Sequence, residues 1–321
     1  MTQNNLRNLR MAFVFPGQGS QSPGMGKELA ENFPVARQVF EEADDALGFA
    51  ISRLCFEGPA EDLQLTENTQ PAILTVSVAA FRAMRDAGVD APAFVAGHSL
   101  GEYSALVASG ALSLSDAVRT VRARGRYMQE AVPVGTGAMA AAIGGDLEAI
   151  ERVCAEARGD QVCSIANINA PNQVVIAGNT EAVDRAVEML SGVARKVVKL
   201  KVSAPFHCAL MKPAQDKLTR DLEVLRFNEP ATPVVTNVDA RATTAPDELR
   251  DALVRQVSAP VRWVESMQLL IERGVDTFVE AGPGKVLSGL MRQISRDVKM
   301  LNVEDAASLE ATRAAVAAQI E

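Results

Sequence analysis

Apolar positions along this chain follow two different rhythms. Short β-prone runs, "MAFVF" at 11–15, "AFVAG" at 93–97 and "TFVEAG" at 277–282, each lead through glycine into residues at helical spacing. Unbroken apolar strands that alternate with helices predict a parallel sheet covered on both faces. A long helix is expected from Pro71 to near Gly88, because a proline at the first helical position gives up no needed hydrogen bond.

The middle of the chain reads differently. "GAMAAAIG" (137–144), a helical "DLEAIERVCAEAR" (146–158), "QVCSIANI" (161–168), a turn at "NAPN" (169–172), "QVVIAG" (173–178), a second helix "TEAVDRAVEMLSG" (180–192) and "RKVVKLKV" (195–202) give the order βαββαβ. That is the order of a ferredoxin-like split motif. The predicted fold is therefore α/β, a parallel-sheet domain of residues 1–131 and 204–321 interrupted by a small ferredoxin-like subdomain of residues 132–203. In its last strand Arg195, Lys199 and Lys201 fall on one side and Val198, Leu200 and Val202 on the other. A solvated face is the ordinary reading of those cations, and an acidic protein partner is the alternative.

Composition narrows the function classes. With 321 residues, 48% of them hydrophobic, the chain can bury a large core. A formal charge of −8 gives no global electrostatic reason to bind nucleic acid or an anionic membrane. Cys55, Cys154, Cys163 and Cys208 show no metal-binding or redox spacing and suit a reducing compartment. No apolar run approaches the roughly 18 residues of a spanning helix, so a soluble, cytoplasmic protein without a metal is expected.

"VAGHSLGEYSA" at 95–105 carries the clearest chemistry. Gly97 to Gly101 fit G-x-S-x-G, a strand-to-helix elbow that lifts a serine hydroxyl above the sheet, and the flanking residues supply the strand and the helix. Ser99 is the candidate nucleophile, and the amide of Leu100 at the helix start points towards developing negative charge. The chain has only two histidines, His98 and His207. His98 adjoins Ser99, and neighbouring side chains leaving a strand point to opposite sides. By elimination His207, in "VSAPFHC", is the base. No carboxylate stands out to orient it, so its second ring nitrogen is expected to meet a neutral acceptor, either a backbone carbonyl or the side chain of a residue such as Gln256.

The helix "SDAVRTVRARGRYMQEA" has Ser115 as its expected N-cap. Arg122 and Arg126 share a face, whereas Arg124 lies about 200° away on the stripe of Ala117, Val121 and Met128. A guanidinium aimed inward needs a partner, either an internal Asp or Glu or a carboxylate on a substrate. Asn167, Asn169 and Asn172 could line a cleft between the two units or serve as turn residues. "GQGSQSPGMG" fails the dinucleotide fingerprint at Ser22, and "GPGK" lacks P-loop spacing.

Several motifs in one order carry a family likeness. "FPGQGSQ" (15–21), "TQPA" (69–72), "GHSLGEYSA" (97–105), "RARGRYMQEA" (122–131), "GTGAMAA" (135–141), "NAPNQVVIAG" (169–178), "PFHCALMKPA" (205–214) and "EAGPGKVL" (280–287) together resemble the malonyl-CoA:acyl carrier protein transacylases. The resemblance implies an α/β-hydrolase-like large domain and transfer of malonyl from coenzyme A to the phosphopantetheine thiol of acyl carrier protein, for fatty acid synthesis. It implies Ser99 as nucleophile, His207 as base, Gln256 as the histidine's partner, the amides of Gln18 and Leu100 as oxyanion hole, and Arg124 as clamp on the malonyl carboxylate. Phe206 resembles the aromatic that accompanies malonyl rather than methylmalonyl selection, where ordinary core packing is the plainer role. Cys208 stands where many relatives have serine. No cofactor, no nucleic acid, no membrane and a monomer are implied. A thioesterase using the same serine, or a catalytically silent acyl-CoA-binding scaffold, are the rival functions.

Overall fold

The computed structural model describes residues 10–133 and 135–318, so residues 1–9 and 319–321 of the expected large domain and residue 134 of the expected small one lie outside the described residues. Among the described residues ten strands form two sheets: β1 (Met11–Phe15), β2 (Phe94–Gly97), β3 (Gly137–Ile143), β4 (Cys163–Ala170), β5 (Gln173–Asn179), β6 (Lys196–Lys199), β7 (Val234–Thr236), β8 (Arg241–Thr243), β9 (Thr277–Ala281) and β10 (Lys299–Val303).

The larger sheet runs β10-β9-β1-β2-β7-β8. Every neighbouring pair is parallel except β7 and β8, a short antiparallel edge. Central β1 shows why an unbroken apolar run was needed. Phe13 and Phe15 pack on one face with Ile73, Leu74 and Leu106, while Ala12 and Val14 pack on the other with Trp263, Met267 and Phe278. Each large side chain so buried stabilises by roughly 1.5–3 kcal/mol. The strands other than β8 share one direction, which puts their carboxyl ends, where Gly97 gives way to the elbow, on one edge.

The smaller sheet runs β4-β5-β3-β6 and is antiparallel throughout, with helices Leu147–Arg158 and Thr180–Leu190 in the connections. This reproduces the βαββαβ order. Ala140, Ile176, Ile150, Val183 and Leu190 form the core between this sheet and its helices. The opposite face, with Met139, Ala141, Val175 and Ala177, packs on Cys208 and Phe206 of the returning chain. β4 is stitched to the larger unit by a parallel bridge between Asn167 and Val261, made by Ile168 N to Val261 O (2.9 Å) and Val261 N to Ala166 O (2.9 Å).

Three local expectations are corrected. The long helix spans Thr66–Asp86, with Pro71 inside it. Its first turn is held against the helix Leu114–Glu130, where a side chain on Gly125 would come within 2.6 Å of Thr66 O, so packing outweighs the one backbone bond that proline removes. That second helix begins two residues earlier than expected. Ser113 caps it by accepting from Asp116 N at 3.0 Å, and Ser115 instead donates to Glu42. Finally, β6 ends at Lys199 rather than Val202, because the chain must leave the edge of the sheet to reach the larger unit. Lys199 pairs with Asp184, and Leu200, Lys201 and Val202 turn to line a cleft.

Candidate active site

Where β2 ends, the chain turns directly into the helix Gly101–Ala108. The crossing is too tight for side chains at its ends: a Cβ on Gly97 would lie 1.9 Å from Gly101 C, and one on Gly101 would lie 2.1 Å from Phe15 O. Between these glycines Ser99 adopts φ 52°, a left-handed conformation that surrounding contacts must enforce. Asn237, just past β7, supplies them: its Oδ1 accepts from Ser99 N at 2.7 Å and its Nδ2 donates to Gly97 O at 2.7 Å.

Ser99 Oγ lies 2.7 Å from His207 Nε2, a contact between residues 108 positions apart. His207 is itself left-handed, at φ 59°, and 4% exposed. Its Nδ1 lies 2.9 Å from the backbone carbonyl of Gln256. A carbonyl only accepts, so Nδ1 carries the hydrogen and Nε2 is left as acceptor for the serine hydroxyl. Burial, and then the nearby Arg124 charge, push the ring's pKa down to about 3, so it is neutral in the acceptor form at physiological pH.

His98 faces away from Ser99. Its Nε2 meets Asn169 Oδ1 at 2.7 Å, its ring stands edge-on to Trp263 at 5.4 Å, and burial lowers its pKa. The His98–Asn169 bond therefore joins the two units across the cleft.

Arg124 is 2% exposed and has no carboxylate within ion-pair distance among the described residues. Its partners are neutral: Nη1 donates to Gln70 Oε1 at 2.7 Å, and Nη2 donates to Gln256 Oε1 at 2.9 Å and to Ser99 Oγ at 3.3 Å. Nε has no partner in the described structure, and Tyr103 lies under the guanidinium at 5.8 Å. A buried cation solvated only by amide and hydroxyl oxygens keeps a charge that no carboxylate among the described residues neutralises. Gln256 was read as a possible side-chain partner of the histidine. It serves through its backbone, while its side chain bridges Arg124, the Ser99 carbonyl and Glu102.

These groups open onto a cleft of about 280 Å³ between the two units. Ser99, His207, Arg124 and Gln70 line one side; Met139, Val175, Leu200 and Asn169 line the other, with Phe206 beside the histidine and Gln18 and Leu100 near the serine. The amides of Gln18 and Leu100 donate to no protein acceptor among the described residues. Cys208 donates to Pro205 O at 3.1 Å, and burial pushes its thiol up to about 12, which suits packing rather than chemistry.

Gln70, Glu102 and Asn237 escaped the sequence reading. Glu102 did leave a signal, a carboxylate three residues after the serine in an otherwise apolar helix start. Gln70 lies in the motif "TQPA" but nothing marked its role, and Asn237 left no signal, because each acts through a fold contact far away in the chain. Among the described residues no group of three or more His, Cys, Asp or Glu could hold a metal, and no helix is long and apolar enough to cross a membrane.

Residues 12–317 match the Acyl transferase domain family. The malonyl CoA-acyl carrier protein transacylase of Escherichia coli K12 is 52% identical over 286 residues, covering 89% of this chain and 93% of that protein. The protein of the same name from Bacillus subtilis 168 is 48% identical over 303 residues, covering 94% and 95%. Among solved structures, an acyl carrier protein S-malonyltransferase from Vibrio cholerae superposes with a TM-score of 0.93 at 48% identity, covering 94% of this chain and 99% of that one. A malonyl-transacylase solved in complex with its type II PKS acyl-carrier protein superposes with a TM-score of 0.92 at 49% identity, covering 94% and 98%. With a serine elbow, a buried histidine and an unpaired buried arginine in one cleft, and with likeness of this extent, the chain belongs to the acyl transferase domain family and, within it, to the malonyl CoA-acyl carrier protein transacylases.

Proposed function

We propose that this chain moves a malonyl group from malonyl-CoA to the phosphopantetheine thiol of acyl carrier protein, in fatty acid synthesis, through a malonyl ester on Ser99. The observation that carries this reading is the meeting at one oxygen of a base and a cation: Ser99 Oγ lies 2.7 Å from His207 Nε2 and 3.3 Å from Arg124 Nη2. His207 removes the hydroxyl proton as Ser99 attacks the thioester carbonyl, and the amides of Gln18 and Leu100 receive the oxyanion. Collapse expels the coenzyme A thiolate, which takes the proton back from His207. In the second half the carrier thiol gives its proton to His207, its sulfur attacks the Ser99 ester, and the proton returns to Ser99 Oγ.

Arg124 supplies the selectivity for a dicarboxylic acyl group. A malonyl carboxylate sits two carbons from the reacting carbonyl, so it can reach a guanidinium that already touches the nucleophile. Its arrival replaces weak amide contacts with a charge-assisted fork. Phe206 narrows the space at the acyl α-carbon, and Asn169 keeps His98 out of the reaction. The backbone carbonyl of Gln256 fixes the tautomer of His207.

In this reading the large domain, residues 1–131 and 204–321, supplies the chemistry and the small one, residues 132–203, supplies a wall. The reaction needs no bound cofactor, one chain contains every group it uses, and a reducing cytoplasm suits its unpaired thiols. Intact-mass measurement tests it. Malonyl-CoA should add one malonyl group, which Ser99→Ala abolishes and phosphopantetheinylated carrier protein removes. An adduct that decays to free enzyme in buffer alone as fast as it does with carrier protein would make the chain a hydrolase instead.

A further inference from the structure

The transfer mechanism leaves one buried ionisable group unused. Glu102 is 1% exposed and touches neither Ser99 Oγ nor the His207 ring, yet its Oε2 is the meeting point of the site's supports. It accepts from Asn237 N at 2.9 Å and from Gln256 Nε2 at 2.8 Å. Asn237 in turn accepts from Ser99 N, and Gln256 Nε2 donates to Ser99 O at 2.9 Å. Both ends of the strained serine are thus tied to residues anchored on one carboxyl oxygen. Gln256 also touches the other two working groups, accepting from Arg124 through Oε1 and from His207 through its backbone carbonyl.

On the reading of the chain as a malonyl transferase through Ser99, we propose that Glu102 is a positioning residue for acyl transfer. Its ionised carboxylate clamps Asn237 and Gln256, holds Ser99 in its left-handed conformation, and fixes the face that Gln256 presents to Arg124. The orientation argument rests on donor and acceptor inventories. A guanidinium only donates, so Gln256 must show it the amide oxygen; an ionised carboxylate only accepts, so it must be shown the amide NH2. The Ser99 carbonyl, which also only accepts, asks for the same amide orientation, and ionised Glu102 reinforces it. A protonated Glu102 can donate as well as accept, and its charge-assisted bonds become neutral ones of roughly half the strength. Oε1 has no partner in the described structure, so no donor there opposes its protonation.

The clamp is therefore sensitive to pH. Burial raises the Glu102 pKa to about 7; Arg124 on the helix Leu114–Glu130 pulls it down and Asp239 beyond β7 pushes it up. Asp239 is itself paired with Arg255. Tyr103, the neighbour on the same helix, is held neutral by burial, and burial with the Arg124 charge pushes His207, beyond Gln256, down to about 3. An acidic limb near neutrality in kcat/KM for malonyl-CoA, which reports groups of the free enzyme, then belongs to Glu102 rather than to the base.

Glu102→Gln tests this, since it keeps the shape and removes the charge. Wild-type kcat/KM should fall about tenfold to a hundredfold as pH drops from about 8 to 5, the scale of a misplaced reactive group. Glu102→Gln should show the wild-type low-pH value at every pH in that range, with an unchanged near-ultraviolet circular dichroism spectrum. Glu102→Asp should keep a limb, displaced in midpoint, which supplies a second reading if the glutamine variant does not fold. Wild-type kcat/KM that is flat over this range overturns the proposal, as does a limb that Glu102→Gln and Glu102→Asp both leave where it was, because the substrate's phosphates would then be its source. Failure of the transferase reading would look different: wild-type protein would acquire no malonyl adduct on Ser99.

Discussion

The two walls of the cleft are built on opposite plans. The larger unit presents the ends of a buried parallel sheet, and its contribution is charge and reactivity: Ser99, His207, Arg124 and the amides near Gln18. The smaller unit presents one face of an antiparallel sheet whose other face is closed by helices, and its contribution is mostly apolar: Met139, Val175 and Leu200, with Asn169 as a polar contact. The difference separates two jobs. Strained, over-tied backbone holds the polar groups in place, and a smooth sheet face bounds the cleft.

That separation should break in a definite order. His207→Ala should cost the most, on the order of 10⁴-fold in the rate of Ser99 malonylation, the upper range for a general base. His98→Ala, which loses the tie to Asn169 and the ring contact with Trp263 but nothing at Ser99 Oγ, should lose less than tenfold. Rapid-quench acylation of the two folded variants checks this, and equal losses would erase the distinction between base and strut. Arg124→Ala comes next. It removes the site's buried cation, and an uncompensated malonyl carboxylate there costs on the order of 3–5 kcal/mol. Malonyl loading should fall by that factor while acetyl loading from acetyl-CoA changes little, and an unchanged malonyl-to-acetyl ratio would remove Arg124 from selectivity. Phe206→Ser should act least and on shape alone. Competition between malonyl-CoA and methylmalonyl-CoA should shift towards the branched substrate by about 1–3 kcal/mol, the worth of one methyl-sized space; no shift would place that boundary elsewhere.

Legibility in the sequence followed the range of the physical cause. Parallel strands were readable because "MAFVF" and "AFVAG" are apolar at successive positions, as burial of both faces requires, and the βαββαβ insertion because its periods switch in order. Ser99 was readable from a five-residue turn, and Arg124 from its place on an apolar helical stripe. The histidine assignment needed only that the chain holds two. What stayed hidden depends on partners brought close by folding. Pro71 lies inside its helix because a turn packs against Gly125, far along the chain. Asn237 matters through a bond to Ser99 that spans 138 positions. Gln256 was named for its side chain, yet its peptide oxygen meets the histidine, a distinction that no residue type encodes.

The bridge between Asn167 and Val261 has a consequence for how the pocket can change. Main-chain bonds there fasten the lip of the small sheet to the frame of the large one, so the gap between the walls behaves like a jaw bolted at one end rather than a swinging gate. Differences in what the pocket admits must then be written in the few side chains that protrude into it. Redesign of its acyl preference calls for single-residue exchanges at Phe206, Met139 or Leu200, with the scaffold left untouched.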